Sequence, residues 1–374
     1  MIIAGEASGD LHGAQLIRQV TKLDSQVTFF GIGGSNMRSA GVDIKIDASK
    51  LAVIGLVEVI KHYRQLVSYL DDMKALLKSQ RPDLLILIDY PGFNLRLAKA
   101  AKLLKIKVLF YISPQVWAWR KGRVKKIGQS IDMMAVIFDF ETKFYEDYNI
   151  PVRFVGHPLT DEIPEHYNKI DTINSLNLDS NNKILGLFPG SRKSEIKNLL
   201  PILLESASRL HKQDKNLQFL IPLASTITQE DIAPFLNGIE IPITIIDNNS
   251  TAAIQACSAI ITASGTVTLE IALSGVPMVV IYKIASMSYY ILRMMIHLDH
   301  LALCNIVADQ RIVPELIQQQ ANPDEIVNEI EKILYYDNYS ASIIEKLKSV
   351  RTHLGRSGNG LLVAELALEM LGRR

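Results

Sequence analysis

Cysteine is scarce in this chain. Two occur among 374 residues, Cys257 and Cys304, and both lie in apolar segments. Two isolated thiols form neither a disulfide scaffold nor a zinc site, and they favour a reducing compartment. An excess of one charge is missing too, because the formal net charge is +1 at pH 7. The chain as a whole therefore has no strong attraction to nucleic acid, and no nucleic-acid partner is expected.

Long apolar runs are also absent from the sequence. Residues 1–3 lack a basic segment, and the charges of Glu6 and Asp10 interrupt the apolar pattern of the N-terminus, so no secretory leader is expected. No stretch is long and apolar enough to span a bilayer. We expect a cytoplasmic protein, and a hydrophobic fraction of 48% is compatible with a role at a membrane surface.

Apolar strand patterns alternate with helical patterns throughout, which is typical of a parallel α/β fold. Because 374 residues exceed what one hydrophobic core usually serves, two domains around a cleft are expected. We place them at residues 1–165 and 166–354, with a linker near the polar stretch 168–182. The C-terminal helix, 355–374, is expected to pack on the first domain or on a partner. Strands are predicted at residues 2–4, 27–31, 84–89, 108–112, 133–137, 152–155, 184–188, 217–222, 243–246, 259–262 and 278–282.

The first predicted strand runs into a turn of small residues, 5–10, that opens a helix. Such a turn exposes backbone N–H groups at the helix N-terminus. It also places Glu6, Ser8 and Asp10 at the carboxyl end of the strand, the edge where open α/β sheets bind ligands. The run is not a G-x-G-x-x-G fingerprint, and glycines are common at such turns, so alone it is a weak signal.

Asp89 follows five apolar residues, 84–88, at the carboxyl end of another predicted strand. A charge half-buried there is costly unless it has a use. We expect Asp89 to be a general base, positioned by groups of the 5–10 turn. The alternative is an N-cap of the next helix, since Pro91 and Gly92 follow closely.

Two strand–turn–helix patterns in the second half favour a nucleotide diphosphate. The turn Gly190-Ser191-Arg192 offers phosphate oxygens a planar guanidinium and a helix N-terminus. Its alternative is an arginine that caps its own loop. The other pattern combines small, hydroxyl-bearing residues with a carboxylate that can accept both hydroxyls of a ribose: Ser264, Gly265, Thr266 and Glu270. The alternative role for this carboxylate is to support the helix dipole.

Both tryptophans of the chain lie beside a run of cations: Trp117, Trp119, Arg120, Arg123, Lys125 and Lys126. Aromatic residues next to cations suit nucleic acid or an anionic membrane, and the nearly neutral net charge favours the membrane. A solvated basic face is the alternative. Two apolar segments, 51–60 and 287–297, are further candidates to face lipid, although such stripes more often belong to a core.

Together these motifs resemble the lipid-A-disaccharide synthase family of GT-B glycosyltransferases. The resemblance follows one order over nearly the whole chain. Its most specific part is Ser-Pro-Gln-Val-Trp-Ala-Trp-Arg at 113–120. It implies two Rossmann-like domains facing across a cleft, and a homodimer with exchanged C-terminal parts. The matching residues are 5–10, 88–94, 113–120, 156–158, 187–192, 263–266, 269–270 and 305–307.

The resemblance also implies a reaction in Gram-negative lipid A biosynthesis. A 2,3-diacylglucosamine unit passes from UDP-2,3-diacylglucosamine to 2,3-diacylglucosamine 1-phosphate, which gives a β-1,6-linked disaccharide 1-phosphate and UDP with inversion. The implied location is peripheral, on the anionic cytoplasmic face of the inner membrane. No cofactor or metal is implied, because Arg192 and helix dipoles can stabilise the departing UDP.

On this resemblance Asp89 is the base and Asp10 the alternative base, while Glu6 and Ser8 position the acceptor or the base. The Gly190–Arg192 turn and the Ser264–Thr266 turn bind the diphosphate, and Glu270 binds the ribose. Asn305 is a further contact to the donor.

Two other interpretations stay open. Another GT-B protein that binds a UDP-sugar, such as a UDP-GlcNAc epimerase or the peptidoglycan glycosyltransferase, would share the second half but lack the tryptophan run. The other is an inactive lipid-binding paralogue, since the chain departs from the family pattern at residues 35–36 and 309–310. Asp89, Arg192 and Glu270 occur together, and this argues against inactivity because half-buried charges are costly to keep without a use.

Overall fold

The computed structural model describes residues 1–51, 58–119, 121–247, 249–284 and 299–373. They form two compact units, one of Met1–Asp161 with Leu354–Arg374 and the other of Glu162–His353. Each unit is built on one parallel β-sheet whose strands are connected by helices. This alternation confirms the α/β class.

The first unit holds seven strands: β1 Ile2–Ala4, β2 Phe30–Gly33, β3 Asp43–Asp47, β4 Leu84–Ile88, β5 Lys107–Tyr111, β6 Met133–Val136 and β7 Val152–Phe154. They form a sheet in the order β3-β2-β1-β4-β5-β6-β7. The central strands β1 and β4 are continuous apolar runs and are buried throughout, as strands covered by helices on both faces require. In register, Ala4 lies opposite Ile88, which lies opposite Tyr111 on its other side.

The second unit holds six strands: β8 Ile184–Phe188, β9 Gln218–Leu223, β10 Ile243–Asp247, β11 Ala259–Ala263, β12 Met278–Tyr282 and β13 Glu315–Ile317. Their order is β10-β9-β8-β11-β12-β13. Phe188 lies opposite Thr262, so the turns that follow β8 and β11 are neighbours at one edge of the sheet.

The helices connect these strands and close the two units. In the part of the chain described, they are α1 Ala7–Leu23, α2 Ser35–Ser39, α3 Glu58–Gln80, α4 Pro91–Leu103, α5 Val116–Trp119, α6 Val124–Gly128, α7 Asp139–Glu146, α8 Leu159–Glu162, α9 Lys169–Ser175, α10 Lys193–Gln213, α11 Gln229–Leu236, α12 Ser250–Ala256, α13 Val267–Leu273, α14 Leu303–Val307, α15 Pro323–Tyr335, α16 Asp337–Leu354 and α17 Asn359–Leu371. None of these is both long and apolar enough to cross a membrane.

Helix α17 returns the chain to the first unit and packs against α1. Its first residue, Asn359, is fully buried. The Asn359 amide donates to the carbonyl oxygens of Val155 at 3.0 Å and Gly156 at 2.6 Å, and accepts from the Tyr111 hydroxyl at 2.6 Å. The last helix therefore joins the ends of β5 and β7 through buried polar contacts.

The predicted strands agree with the observed ones to within one residue at each end, apart from β2, and two edge strands were not predicted. Strand β2 begins three residues later than predicted, and β3 and β13 were not predicted. Strand β3, with the sequence Asp-Ile-Lys-Ile-Asp, is an edge strand that alternates charged and apolar residues, so it carries no continuous apolar signal. The polar stretch 168–182 contains α9, whose N-terminus Asn168 caps, so this stretch is not wholly a linker.

Candidate active site

The turns after β1 and β4 lie side by side in the first unit. Because Ala4 pairs with Ile88, Gly5 and Glu6 lie beside Asp89 and Tyr90. A Cβ atom on Gly5 would lie 2.6 Å from Cδ1 of the Tyr90 ring, so only glycine fits this approach. The structure thus brings together the two motifs from which a base and its positioning groups were expected.

Asp89 is half-buried at the end of β4. The pKa of its carboxyl is raised from 3.8 to about 6, first by burial and second by the negative charge of Glu6, with the Tyr90 N–H acting in the opposite direction. Asp89 is therefore ionised at neutral pH yet more basic than an ordinary aspartate, which suits a general base. The N-cap of α4 is Tyr90, so the alternative role of Asp89 as the helix cap is wrong.

Glu6 and Ser8 are exposed at the start of α1, where Glu6 is the N-cap residue. The first N–H groups of a helix have no partner within the helix. The structure therefore places Glu6 and Ser8 at an open helix N-terminus, where the charge of Glu6 acts on Asp89.

The structure corrects the expectation that Asp10 is the alternative base. Asp10 is only 4% exposed. Its carboxylate accepts from the N–H groups of Gly34 at 2.5 Å, Asn36 at 3.0 Å and Met37 at 3.1 Å, and from the Asn36 amide at 3.0 Å. These four donors occupy both oxygens, so Asp10 anchors the N-terminus of α2 and leaves no oxygen free to take a substrate proton.

In the second unit, the turns after β8 and β11 border a cavity of about 590 Å³. Seven of the residues expected to bind a UDP-sugar line it: Gly190, Ser191, Arg192, Ser264, Gly265, Thr266 and Glu270. Residues from β9 and from the start of α12 complete its wall. A cavity of this size is within the range of small-molecule binding sites.

Glu195 also lines this cavity, although no role was predicted for it. Its carboxylate accepts from the N–H groups of Ser191 at 2.9 Å and Arg192 at 3.2 Å, and from the Arg192 guanidinium at 3.0 Å. Glu195 is the third residue of α10, and its acceptance from the N–H of the N-cap residue Arg192 is one half of a capping box. The signal available in the sequence was a glutamate three residues after the turn. The Arg192 side chain is 79% exposed at the cavity, with one guanidinium nitrogen paired to Glu195 in its own loop.

Ser264 is placed at the cavity but its hydroxyl is engaged. It donates to the Leu301 carbonyl at 2.9 Å, and the Ser264 N–H donates to Ile281 at 3.2 Å. Both protons are thus used within the protein, which corrects the expectation that Ser264 donates to a phosphate. Glu270 is half-buried, and burial followed by the charge of Glu162 raises the pKa of its carboxyl.

Asn305 does not line the cavity, which corrects its expected contact with the donor. The side chain is fully buried. Its Nδ2 donates to the Val313 carbonyl at 3.1 Å and to Glu315 at 2.7 Å, and its Oδ1 accepts from the N–H groups of Ile312 at 2.9 Å and Val313 at 3.1 Å. All of its hydrogen-bonding capacity is spent on holding the segment before β13.

Trp117 does not face outward, which corrects its expected contact with lipid. It is 8% exposed, its indole N–H donates to Glu141 at 3.0 Å, and its ring meets Phe140 edge-on. Arg123, Lys125 and Lys126 are exposed at α6, as either a membrane contact or a solvated basic face requires. The Trp119 side chain and Arg120 lie outside the described residues, as do 52–57 and 287–297 of the two apolar segments.

Within the described residues, no group of three His, Cys, Asp or Glu side chains could hold a metal ion.

Comparison with known proteins identifies the family. The family model for lipid-A-disaccharide synthetase, LpxB, matches residues 1–359. The lipid-A-disaccharide synthase of Nitrosococcus oceani is 50% identical over 370 residues, which are 99% of this chain and 95% of the relative. That of Coxiella burnetii (strain Dugway 5J108-111) is 42% identical over 371 residues, with 99% and 98% covered.

Solved structures at low identity share the fold. The UDP-GlcNAc 2-epimerase of Neisseria meningitidis, bound to UDP-GlcNAc, has a TM-score of 0.65 at 13% identity, covering 98% of this chain and 99% of that one. MurG of Acinetobacter baumannii has a TM-score of 0.59 at 13% identity, with 99% of each covered. These likenesses confirm the GT-B fold class. The family match and the relatives' identities assign this chain, an enzyme of glycosyl transfer in lipid A biosynthesis, to the lipid-A-disaccharide synthase family.

Proposed function

We propose that this chain joins UDP-2,3-diacylglucosamine to 2,3-diacylglucosamine 1-phosphate, forming a β-1,6-linked disaccharide 1-phosphate and UDP. Beyond family membership, the observation that carries the proposal is the environment of the Asp89 carboxyl. This half-buried carboxyl has a pKa of about 6 beside the open N-terminus of α1. A base of that strength is what attack by a sugar hydroxyl needs at neutral pH.

In the proposed step Asp89 takes the proton of the acceptor 6-hydroxyl as its oxygen attacks the anomeric carbon of the donor. A new C–O bond forms on the face opposite the diphosphate, and the old bond from the anomeric carbon to the phosphate oxygen breaks. UDP leaves with that electron pair, so the configuration inverts. The proton stays on Asp89 until it passes to water.

The cavity of the second unit holds the donor in this proposal. Arg192, exposed at the cavity, neutralises charge on the diphosphate as the bond breaks. Gly190, with φ of +108°, packs against Glu195, so a Cβ there would collide with the carboxylate and deform the loop. Glu270 accepts the ribose hydroxyls.

The rival interpretations predict other outcomes in one assay. Purified protein is supplied with UDP-2,3-diacylglucosamine, with and without the monosaccharide 1-phosphate, and UDP and lipid products are measured. We expect UDP release that requires the acceptor and yields one disaccharide for each UDP. Release without acceptor would indicate a hydrolase or an epimerase-like reaction. Binding of UDP without turnover would indicate the inactive paralogue.

We also propose that the protein acts at the anionic cytoplasmic surface of the inner membrane, using the exposed cations Arg123, Lys125 and Lys126. Replacing all three with serine is expected to weaken binding to phosphatidylglycerol vesicles by about 10²-fold at low salt, since each cation contributes about 1 kcal/mol. Vesicle sedimentation over a range of salt concentrations measures this.

A matched control removes three other exposed cations of the first unit, Lys78, Lys99 and Lys105. It changes the net charge equally, so it is expected to retain most of the binding. Equal losses in the two triple variants would show that only net charge matters, and unchanged binding in the first would leave its cations as solvated surface.

A further inference from the structure

Asn94 lies in the first turn of α4 and is fully buried. Its side-chain nitrogen donates to the carbonyl oxygens of Ile88 at 3.1 Å and Asp89 at 2.6 Å. Because both partners are acceptors, the NH₂ group and not the amide oxygen faces them. One side chain therefore ties helix α4 to two successive carbonyls at the end of β4.

The backbone that Asn94 holds is strained. Asp89 and Tyr90 have φ of +45° and +47°. These values lie in the left-handed region of backbone conformation, which residues other than glycine rarely adopt. The Asp89 N–H donates to the Tyr111 carbonyl on β5 at 2.9 Å. Both backbone polar groups of Asp89 are thus fixed, the N–H by the neighbouring strand and the carbonyl by Asn94.

The amide oxygen of Asn94 adds a second local cost. It is buried, and no hydrogen-bond partner for it is found within the described residues. A buried acceptor without a partner is unfavourable, as is left-handed backbone at two residues. Such costs persist where the surrounding contacts outweigh them, and they cluster at sites where a group must be held in one direction.

We propose that Asn94 is a positioning residue for Asp89: by holding the left-handed backbone, it fixes the direction of the carboxylate toward the acceptor hydroxyl. The inference rests on the proposed function, in which Asp89 is the base. Asn94 itself, fully buried behind the turn, touches no substrate.

The test compares Asn94→Ala with Asn359→Ala in the full-length protein. Asn359 is the matched control, because it is equally buried in the same unit and its amide also bridges two carbonyls. For Asn94→Ala we expect kcat to fall by about 10²-fold, the effect of misplacing a catalytic group by about 1 Å, with an unchanged KM for the UDP-sugar. The acid limb of the pH–rate profile should move to lower pH, because a released Asp89 is better hydrated. Asn359→Ala should lose stability but keep kcat per folded molecule and the acid limb.

A kcat and an acid limb in Asn94→Ala equal to those of Asn359→Ala would overturn the inference and leave Asn94 a structural residue. If Asn94→Ala does not fold, Asn94→Ser, which keeps one donor, takes its place. Its kcat and the acid limb of its pH–rate profile are then compared with those of Asn359→Ala. If the wild type releases no UDP, the proposed function fails by itself. The inference is then decided by a ¹³C NMR titration of the Asp89 carboxyl, which Asn94→Ala should shift to lower pH and which an unaltered titration would contradict.

Discussion

Asp89→Asn is expected to lower kcat by about 10²- to 10⁴-fold, the usual contribution of a general base. The amide keeps the shape of the carboxyl but cannot take the acceptor proton. Binding of UDP should be unchanged, because the cavity with Arg192 lies in the second unit and Asp89 in the first. Steady-state kinetics of acceptor-dependent UDP release, with calorimetric titration of UDP, measure both quantities.

The stability of the same variant provides an internal control. Burial and Glu6 raise the pKa of Asp89 in the folded protein, so the folded state binds this proton more tightly than the unfolded chain does. Between the unfolded value of 3.8 and the folded value of about 6, rising pH therefore costs stability. Asp89→Asn should accordingly unfold at higher denaturant concentration than the wild type at pH 7.

In the kinetic measurement of this variant, near-normal turnover would show that Asp89 is not the base.

The pH–rate profile should show an acid limb near pH 6, with activity lost as the pH falls and Asp89 becomes protonated. Glu6→Gln removes the second cause of the raised pKa, the negative charge beside Asp89. Its acid limb should therefore move to lower pH, whatever happens to the maximal rate. A limb that stays in place would assign the titration to another group.

Asp10→Ala is expected to lower the free energy of unfolding of the first unit by about 3 kcal/mol or more, because it leaves buried N–H groups without their acceptor. The donors on Gly34 and Met37 lose it directly. Both tryptophans, Trp117 and Trp119, lie in the first unit, so their fluorescence during urea unfolding reports on that unit.

The matched control is Asp71→Ala, which removes a carboxylate that is 63% exposed and pairs with Lys74. Its denaturant midpoint should not change, since exposed ion pairs contribute little. Catalysis separates the two roles considered for Asp10. If it anchors α2, the molecules that remain folded at low temperature keep their kcat; a large loss of kcat at full stability would restore Asp10 as a base.

The fold could be predicted from sequence where burial is uniform. Strand β4 reads Leu-Leu-Ile-Leu-Ile and is buried at every residue, so its position and the charge directly after it, Asp89, were both visible. The same logic located the turns around Gly190 and Ser264, because small residues at the end of an apolar run mark a sheet edge.

The sequence could not show which hydrogen-bond donor pairs with which acceptor when the two are far apart along the chain. Asp10 and Asp89 both follow a predicted strand at one sheet edge, and only the folded chain shows that N–H groups 24 to 27 residues away occupy the Asp10 oxygens. Asn305 was misassigned for a similar reason, since a backbone turn uses its amide. Trp117 was assigned to the surface because its acceptor, Glu141, lies on another helix.

Because helix α17 belongs to the first unit, the two units have all their residues available at different times during synthesis. All residues of the second unit, Glu162–His353, are synthesised before residue 354, whereas the first unit also includes Leu354–Arg374. Before Asn359 is synthesised, the carbonyls of Val155 and Gly156 cannot form their buried hydrogen bonds with its amide. Because domains fold as units when their last element is available, the half of the enzyme that carries Asp89 is finished last, although its strands are made first.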